Sequence, residues 1–389
     1  MFINFWYVAG RAEEFTETPL KRRMLGQDFV LFRDADGVAR VLANTCTHRG
    51  GSLAGGKVKG RCIECPYHGW QFDGDGHCRR IPSLGPDAKI PARTRVDAYP
   101  TDERYGLVFA FLGDLPEAER PPIMPIAEYG PDGPLPGWAA TIQDFEWDFD
   151  YRRSIENGID PAHNEYVHPT HGFSGENPDY RMPAPKLEHS EWGTGFWACR
   201  LAPALAEEKM RAASGRDEPA VIEAGTGHEG VSSVWTFIHP TPEMHIHQYL
   251  YETPIDASHT HLYLVNLRNF LTDPADDERV MYRNEVVATQ DRDVLLDLRP
   301  VETPEDNHHE FFVGADEPIA AYRRRLKEWE ARGWRIDVDA VERNRKRVAY
   351  AIPCPARRRQ KGWVLDPVPL MPGDPAASAG QPETAADSA

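Results

Sequence analysis

Two thiols and two imidazoles stand at matched spacing near the front of the chain: Cys46-Thr47-His48 and, after sixteen intervening residues, Cys65-Pro66-Tyr67-His68. That donor set suits two chemistries. One is a four-coordinate zinc ion. The other is a two-iron, two-sulfur cluster in which His replaces Cys on one iron and raises the reduction potential. Each pair is followed by small residues, Arg49-Gly50-Gly51 and Gly69-Trp70. Glycine lets backbone amides come close to sulfur, which favours the cluster. The zinc-ribbon reading rests on Cys62, which makes a C-x-x-C with Cys65, and on nearby Cys78. On the cluster reading both are small core residues. Four of the six cysteines fall within residues 46–78, with Cys199 and Cys354 apart. Without a secretory leader, such clustering points to metal rather than to a disulfide framework.

A second set lies about ninety residues further on, where Asn157 precedes Asp160-x-x-His163-x4-His168. A mononuclear Fe(II) oxygenase site needs two His and one carboxylate on one face, with the opposite positions open. His163 and His168 supply the imidazoles. Five residues is off-register for a helix, so the helix is expected to distort or end near Val167, in keeping with Pro169. The carboxylate must come from elsewhere, and Asp291, Asp293 and Asp297 are the candidates. Asp291 shares a helical stripe with Val287, Ala288, Val294, Leu295 and Leu298, all apolar, whereas Asp293 stands roughly 200° away round the helix. A lone carboxylate on a buried face needs a compensating charge. Iron would supply it, and an inward arginine is the other reading. Read locally, Asp160 would only N-cap a helix starting at Pro161.

The segments Cys46-Thr47-His48-Arg49-Gly50 and Cys65-Pro66-Tyr67-His68-Gly69-Trp70 resemble the Rieske signature of ring-hydroxylating, non-haem iron oxygenases. The resemblance spans about residues 4–350 and is strengthened by the second motif following in the expected order. It implies that Cys46 and Cys65 bind one cluster iron and His48 and His68 the other. It implies a mononuclear Fe(II) at His163, His168 and Asp291, with Asp160 bridging His68 of one protomer to His163 of the next, and with Asn157 near the iron. It implies an α-only oxygenase forming a head-to-tail homotrimer, fed by a ferredoxin or NAD(P)H-dependent reductase, and using O2 on a small aromatic or cyclic substrate. A pure Rieske electron carrier and a zinc-ribbon ligand-binding protein are the rivals from other classes. The D-x2-H-x4-H motif argues against the first.

These side chains need a scaffold, expected to be α+β: a Rieske β domain, then a helix-grip domain of antiparallel sheet around a long helix. Residues 1–115 show short β patterns broken by the turns Asp34-Ala35-Asp36-Gly37 and Asp73-Gly74-Asp75-Gly76. A proline-rich passage over 114–137 leads into a catalytic domain, 116–365. Its strands are expected at 191–201, 230–239, 244–253 and 259–270. A helix from about 274 to 298 opens at Asp273-Pro274, and another covers about 317–332. The segment 366–389, rich in Pro, Ala and Ser, reads as a disordered tail.

Composition narrows the function classes. A net charge of −17 leaves no basic footprint for nucleic acid. No apolar run is long enough to cross a membrane and the N-terminus lacks a leader pattern, so a cytoplasmic protein is expected. Gly225-Thr226-Gly227-His228-Glu229-Gly230 matches G-x-G-x-x-G, but a strand pattern follows instead of a helix, so it reads as a turn. His245-x-His247 and His259-x-His261 are strand pairs, each facing one side: a second metal site, pocket lining or a solvated face. Arg323 to Arg325 and Arg357 to Arg359 read as solvated surface. Phe173, Trp197, Trp235, Phe237 and Tyr249 read as either pocket lining or core.

Overall fold

The structure is a computed structural model that describes residues 1–205, 208–306 and 308–374. The front third is built from three small antiparallel sheets. Phe5–Arg11 pairs with Leu107–Leu112, which also pairs with Thr101–Arg104. Leu20–Met24, Gln27–Arg33, Ala39–Ala43 and Ala98–Tyr99 form the second sheet, and Lys57–Lys59, Cys62–Glu64, Gln71–Asp73 and Cys78–Arg80 the third. The turns form where local chemistry favours them. Asp34 Oδ1 accepts from the amides of Asp36 and Val38, and Gly37 takes the positive φ that closes the hairpin.

The second half is a seven-stranded antiparallel sheet. Its order is Ala139–Trp147, Thr260–Arg268, Met244–Pro254, Ser233–Thr241, Ala220–Glu229, Gly193–Ala202 and Glu188–His189. The long helix Asp277–Leu295 crosses one face of it. Asp273 caps the entering turn through the Ala275 amide, with Pro274 at the first position. Gln143 on the edge strand fastens the helix by donating to the Met281 carbonyl and accepting from Asn284. The α+β architecture read from the sequence is therefore the one observed.

Several local expectations need correction. Residues 220–229 are a strand, and Gly225 and Gly227 lie inside it rather than in a turn. The indoles of Trp197 and Trp235 occupy the space their side chains would fill, with a Cβ on Gly225 falling 2.6 Å from Trp197 and one on Gly227 falling 2.8 Å from Trp235. The turn comes only at Gly230, φ +62°. Arg323 is not solvated. It is buried and makes a bidentate pair with Glu156 at 2.7 Å, with Glu310 alongside at 2.7 Å. Arg357 likewise clamps the fully buried Asp97 at 2.6 and 2.8 Å, joining the C-terminal segment to the front domain. The segment from 366 does not start as a disordered tail. Asp366 and Pro367 pair with Tyr350 and Ala351, Val368 is buried, and Met371 donates to the Arg335 carbonyl. Its prolines hid the alternating apolar residues Val368 and Leu370 that pin it to the core. Residues 375–389 lie outside the described residues.

The proline-rich passage is packed rather than loose. Ile123, Met124 and Ile126 are buried between the first front sheet and the outer face of the seven-stranded sheet. Trp6 donates to the Pro121 carbonyl and Tyr251 to the Met124 carbonyl.

Candidate metal centres

The two front loops have the same backbone design. The Gly50 amide closes on the Cys46 carbonyl at 2.9 Å and the Gly69 amide on the Cys65 carbonyl at 3.0 Å. Both glycines have positive φ, 73° and 69°, a conformation that other residues rarely adopt. Cys46 and Cys65 are buried, whereas His48 and His68 are exposed. The two imidazole Nδ1 atoms lie 3.1 Å apart, and Trp70 stacks flat on His48 at 4.5 Å. A Cβ on Gly51 would press to 3.1 Å from Cys65 Sγ, so the loops approach as closely as glycine allows.

Burial pushes the Cys46 thiol up to about 12, and neighbouring Cys65 pushes it the same way. A thiolate there forms only with a positive partner. Two buried sulfurs and two outward imidazoles form a two-sided donor set, as a cluster with one Cys-bound and one His-bound iron requires.

The second centre forms where the short helix Asn164–Val167 ends. His168 follows it with φ −112° and ψ 68°, which turns its ring back toward His163 despite the five-residue spacing. The expected helix ending at Val167 is observed. His163 Nδ1 donates to the Asp160 carbonyl at 2.8 Å and His168 Nδ1 donates to Gln290 Oε1 at 3.1 Å. These bonds fix the tautomers, so both Nε2 atoms carry lone pairs. The two Nε2 atoms face each other at 3.2 Å, with Asp291 Oδ1 at 3.7 and 3.4 Å from them. Burial pulls His163 down to about 4 although Asp291 acts in the opposite direction. Asp291 Oδ1 is buried without a hydrogen-bond donor among the described residues. Two imidazole nitrogens and a carboxylate oxygen converging on one point fit a divalent cation. Arg292 bonds Asp293 at 2.7 Å instead, so the inward Asp–Arg alternative is not observed.

Of the expected stripe, Val287, Ala288 and Leu295 line the same cavity as Asp291, but Val294 is 44% exposed and faces outward. Asp160 does cap its local turn, accepting from the Ala162 amide at 2.7 Å, while its other oxygen lies 3.9 Å from His163 Nδ1. Burial raises its carboxyl above the usual range. Asn157 lines the cavity one turn before Asp160. Two neighbours were missed from the sequence. Gln290 orients His168 and also accepts from Thr170, and the His171 ring sits 5.0 Å from that of His168. The adjacency of Gln290 to Asp291 and the His168-Pro169-Thr170-His171 spacing were the available signals.

A cavity of about 560 Å³ opens from these three residues. Its walls are largely apolar, including Phe145, Phe173, Phe196, Leu262 and Leu264. A second chamber of about 410 Å³ adjoins it through His171, Phe173, Arg200, Ile238, Gln248 and Val287. Arg283 projects into that chamber, and burial and Arg279 both lower its affinity for a proton. Trp235, Phe237 and Tyr249 stand instead against the front domain and the passage, in its core cluster, and the Trp197 ring packs on the first two from the same face.

Comparison with known proteins identifies both domains. Residues 5–100 match the Rieske [2Fe-2S] domain family and residues 147–332 the vanillate O-demethylase oxygenase C-terminal domain family. The two matches define an iron–sulfur domain followed by an oxygenase C-terminal domain. The chain belongs to the Rieske non-haem iron oxygenases, whose cofactors are a 2Fe-2S cluster and a mononuclear iron. It is 37% identical over 167 residues to the tert-butanol monooxygenase / tert-amyl alcohol desaturase oxygenase subunit of Aquincola tertiaricarbonis, covering 42% of this chain and 34% of that protein. It is 29% identical over 217 residues to the 5,5'-dehydrodivanillate O-demethylase oxygenase subunit of Sphingobium, covering 51% of this chain and 46% of that protein. The matches thus span a third to a half of the length of these curated relatives. The structure of NdmA from Pseudomonas putida CBB5 with caffeine superposes with a TM-score of 0.69 at 23% identity, covering 84% of this chain and 91% of that one, which shows a shared fold. Among the described residues no helix is long and apolar enough to cross a membrane.

Proposed function

We propose that this chain is the terminal oxygenase component of a Rieske system. It would use O2 and electrons from NAD(P)H, passed on by a ferredoxin or reductase, to hydroxylate, dihydroxylate or demethylate a small aromatic or cyclic substrate. The observation that carries the reading is the meeting of His163, His168 and Asp291 at the wall of a large apolar cavity. A pure electron carrier would have no use for that arrangement.

In this reading Cys46, His48, Cys65 and His68 hold the cluster, and His163, His168 and Asp291 hold the iron. When bound, the cluster supplies single electrons and the iron supplies O2 activation. The protein's residues do the rest. The Asp160 carbonyl and Gln290 keep both imidazoles in the ligating tautomer. The apolar walls exclude water and press the substrate's carbon skeleton toward the open side of the triad. Arg200 and Arg283 would receive an anionic end of the substrate in the adjoining chamber.

His48, His68 and Tyr67 are exposed, which supports docking of this edge against a neighbouring protomer in a head-to-tail trimer. Asp160 would then bridge that protomer's His68 to His163. The test has two parts. Purified protein should hold about three irons per chain with acid-labile sulfide, and should consume O2 and NADH only with substrate from an aromatic, steroid and N-methyl panel. Zinc alone, without labile sulfide, would reject the oxygenase. Asp160→Ala should keep both metals yet lose single-turnover transfer, and normal turnover would reject the bridge.

A further inference from the structure

The lone-pair pattern that marks the iron centre recurs once more, on the other face of the same sheet. His239 lies on strand Ser233–Thr241, and His245 and His247 lie on the next strand, Met244–Pro254. His239 Nδ1 donates to Glu223 Oε2 at 2.9 Å, and His247 Nδ1 donates to Glu128 Oε1 at 2.6 Å. A carboxylate only accepts, so each Nδ1 carries the hydrogen and each ring turns its Nε2 away from its carboxylate. Those two Nε2 atoms face each other at 3.1 Å, within a tenth of an ångström of the His163–His168 separation. His245 Nε2 donates to the Pro242 carbonyl at 3.1 Å, which leaves its Nδ1 lone pair for a ligand. One nitrogen from each of the three rings falls within 4.8 Å of the others.

The pocket around them is built. Phe237 stacks on His247 at 3.9 Å, Trp138 tilts over His247 at 5.1 Å, and Trp197 lies 5.4 Å from His239. His239 and His247 are mostly buried, with side chains 16% and 11% exposed. The Glu128 carboxylate is itself held, because Tyr249 donates to its second oxygen at 2.7 Å. Two imidazoles oriented by carboxylates, plus a third imidazole, form the usual surround of zinc or a similar borderline ion.

We propose that His239, His245 and His247 bind a second metal ion, a divalent transition metal of the zinc type, distinct from both iron centres. Glu128 belongs to the passage between the two domains, and Glu223 to the adjacent strand. The ion therefore ties the domain connection to the sheet whose opposite face lines the substrate cavity. Its role is a structural clip, since all three rings lie away from that cavity.

The test uses the iron-loaded full chain. Protein exposed to micromolar zinc and then desalted should carry about one zinc per chain in addition to its full iron. Zinc K-edge absorption should show a nitrogen shell at roughly 2.0–2.1 Å. The double variant His239→Gln/His247→Gln should lose that zinc and keep iron content and cluster absorption. Glu223→Gln, at an exposed position that folding tolerates, should weaken zinc binding about 10–100-fold. Asp291→Asn should leave the zinc in place. Wild-type protein that retains no zinc would overturn the proposal and leave a shared proton as the bond between the two rings. Zinc held equally by the double variant would overturn it too.

Discussion

Replacing Asp291 with Asn should move the apo and iron-loaded proteins in opposite directions. Without iron, Asp291 Oδ1 is a buried acceptor lacking a donor, 3.4 and 3.7 Å from two nitrogen lone pairs. A buried polar group left unsatisfied costs roughly 1–3 kcal/mol. An asparagine of the same shape offers N–H groups to those nitrogens, so apo Asp291→Asn should gain about that amount. With iron the sign should reverse, because on the proposed ligand set the carboxylate of the triad is gone. Changes to groups merely supporting a metal ligand already cost about 10–100-fold in affinity, or roughly 1.4–2.7 kcal/mol. Loss of the ligand itself should cost at least as much. The assay is urea unfolding of the catalytic domain, anaerobically, with Fe(II) or after chelation of the mononuclear iron. The stabilisation by iron should shrink by the affinity loss itself, at least roughly 1.4–2.7 kcal/mol in the variant. Equal destabilisation in both states would show that Asp291 is an ordinary buried acid and that the converging acceptors are not a metal centre.

Three further outcomes follow from other parts of the molecule. Burial lifts the Glu252 carboxyl to about 8 against an ordinary 4.5, so the folded state keeps a proton that the unfolded chain releases. Stability should fall from about pH 4.5 to pH 8 by up to roughly 5 kcal/mol, and Glu252→Gln should remove that part of the slope in pH-dependent denaturation. Arg283→Leu should raise KM about 10–100-fold for substrates with a carboxylate, in line with roughly 1.5–3 kcal/mol for a charge-assisted hydrogen bond, and spare neutral analogues; steady-state kinetics on matched pairs would show it. Gly227→Ala places a Cβ 2.7 Å from Gly195 Cα and from the Thr194 carbonyl oxygen, so it should cost roughly 1–3 kcal/mol in thermal unfolding, because backbone on the paired strand cannot yield as a side chain would.

Much of the site was legible in the sequence because metal chemistry constrains residue type and local spacing together. Cys46, His48, Cys65 and His68 lie in two loops whose glycines announce the backbone geometry. His163 and His168 fall within one broken turn marked by Pro169. Asp291 could be chosen over Asp293 because helical periodicity alone separates an inward from an outward carboxylate, and Asp293 indeed pairs with Arg292 in solvent. Local order of this kind is written in neighbours along the chain.

What the sequence could not decide depends on groups far apart in the chain. Gln290 reaches His168 across more than a hundred residues, and Glu128 reaches His247 across a similar gap. Neither carries a local pattern. Arg323 and Arg357 looked like surface charge until folding brought Glu156, Glu310 and Asp97 against them. Gly225 and Gly227 looked like a turn because their real constraint is the pair of indoles on neighbouring strands. The H-x-H pair at His245 and His247 gained meaning only when the adjacent strand delivered His239. Periodicity reports which face a side chain occupies. Which partners wait on that face is set by strand order and register, and only the tertiary structure fixes those.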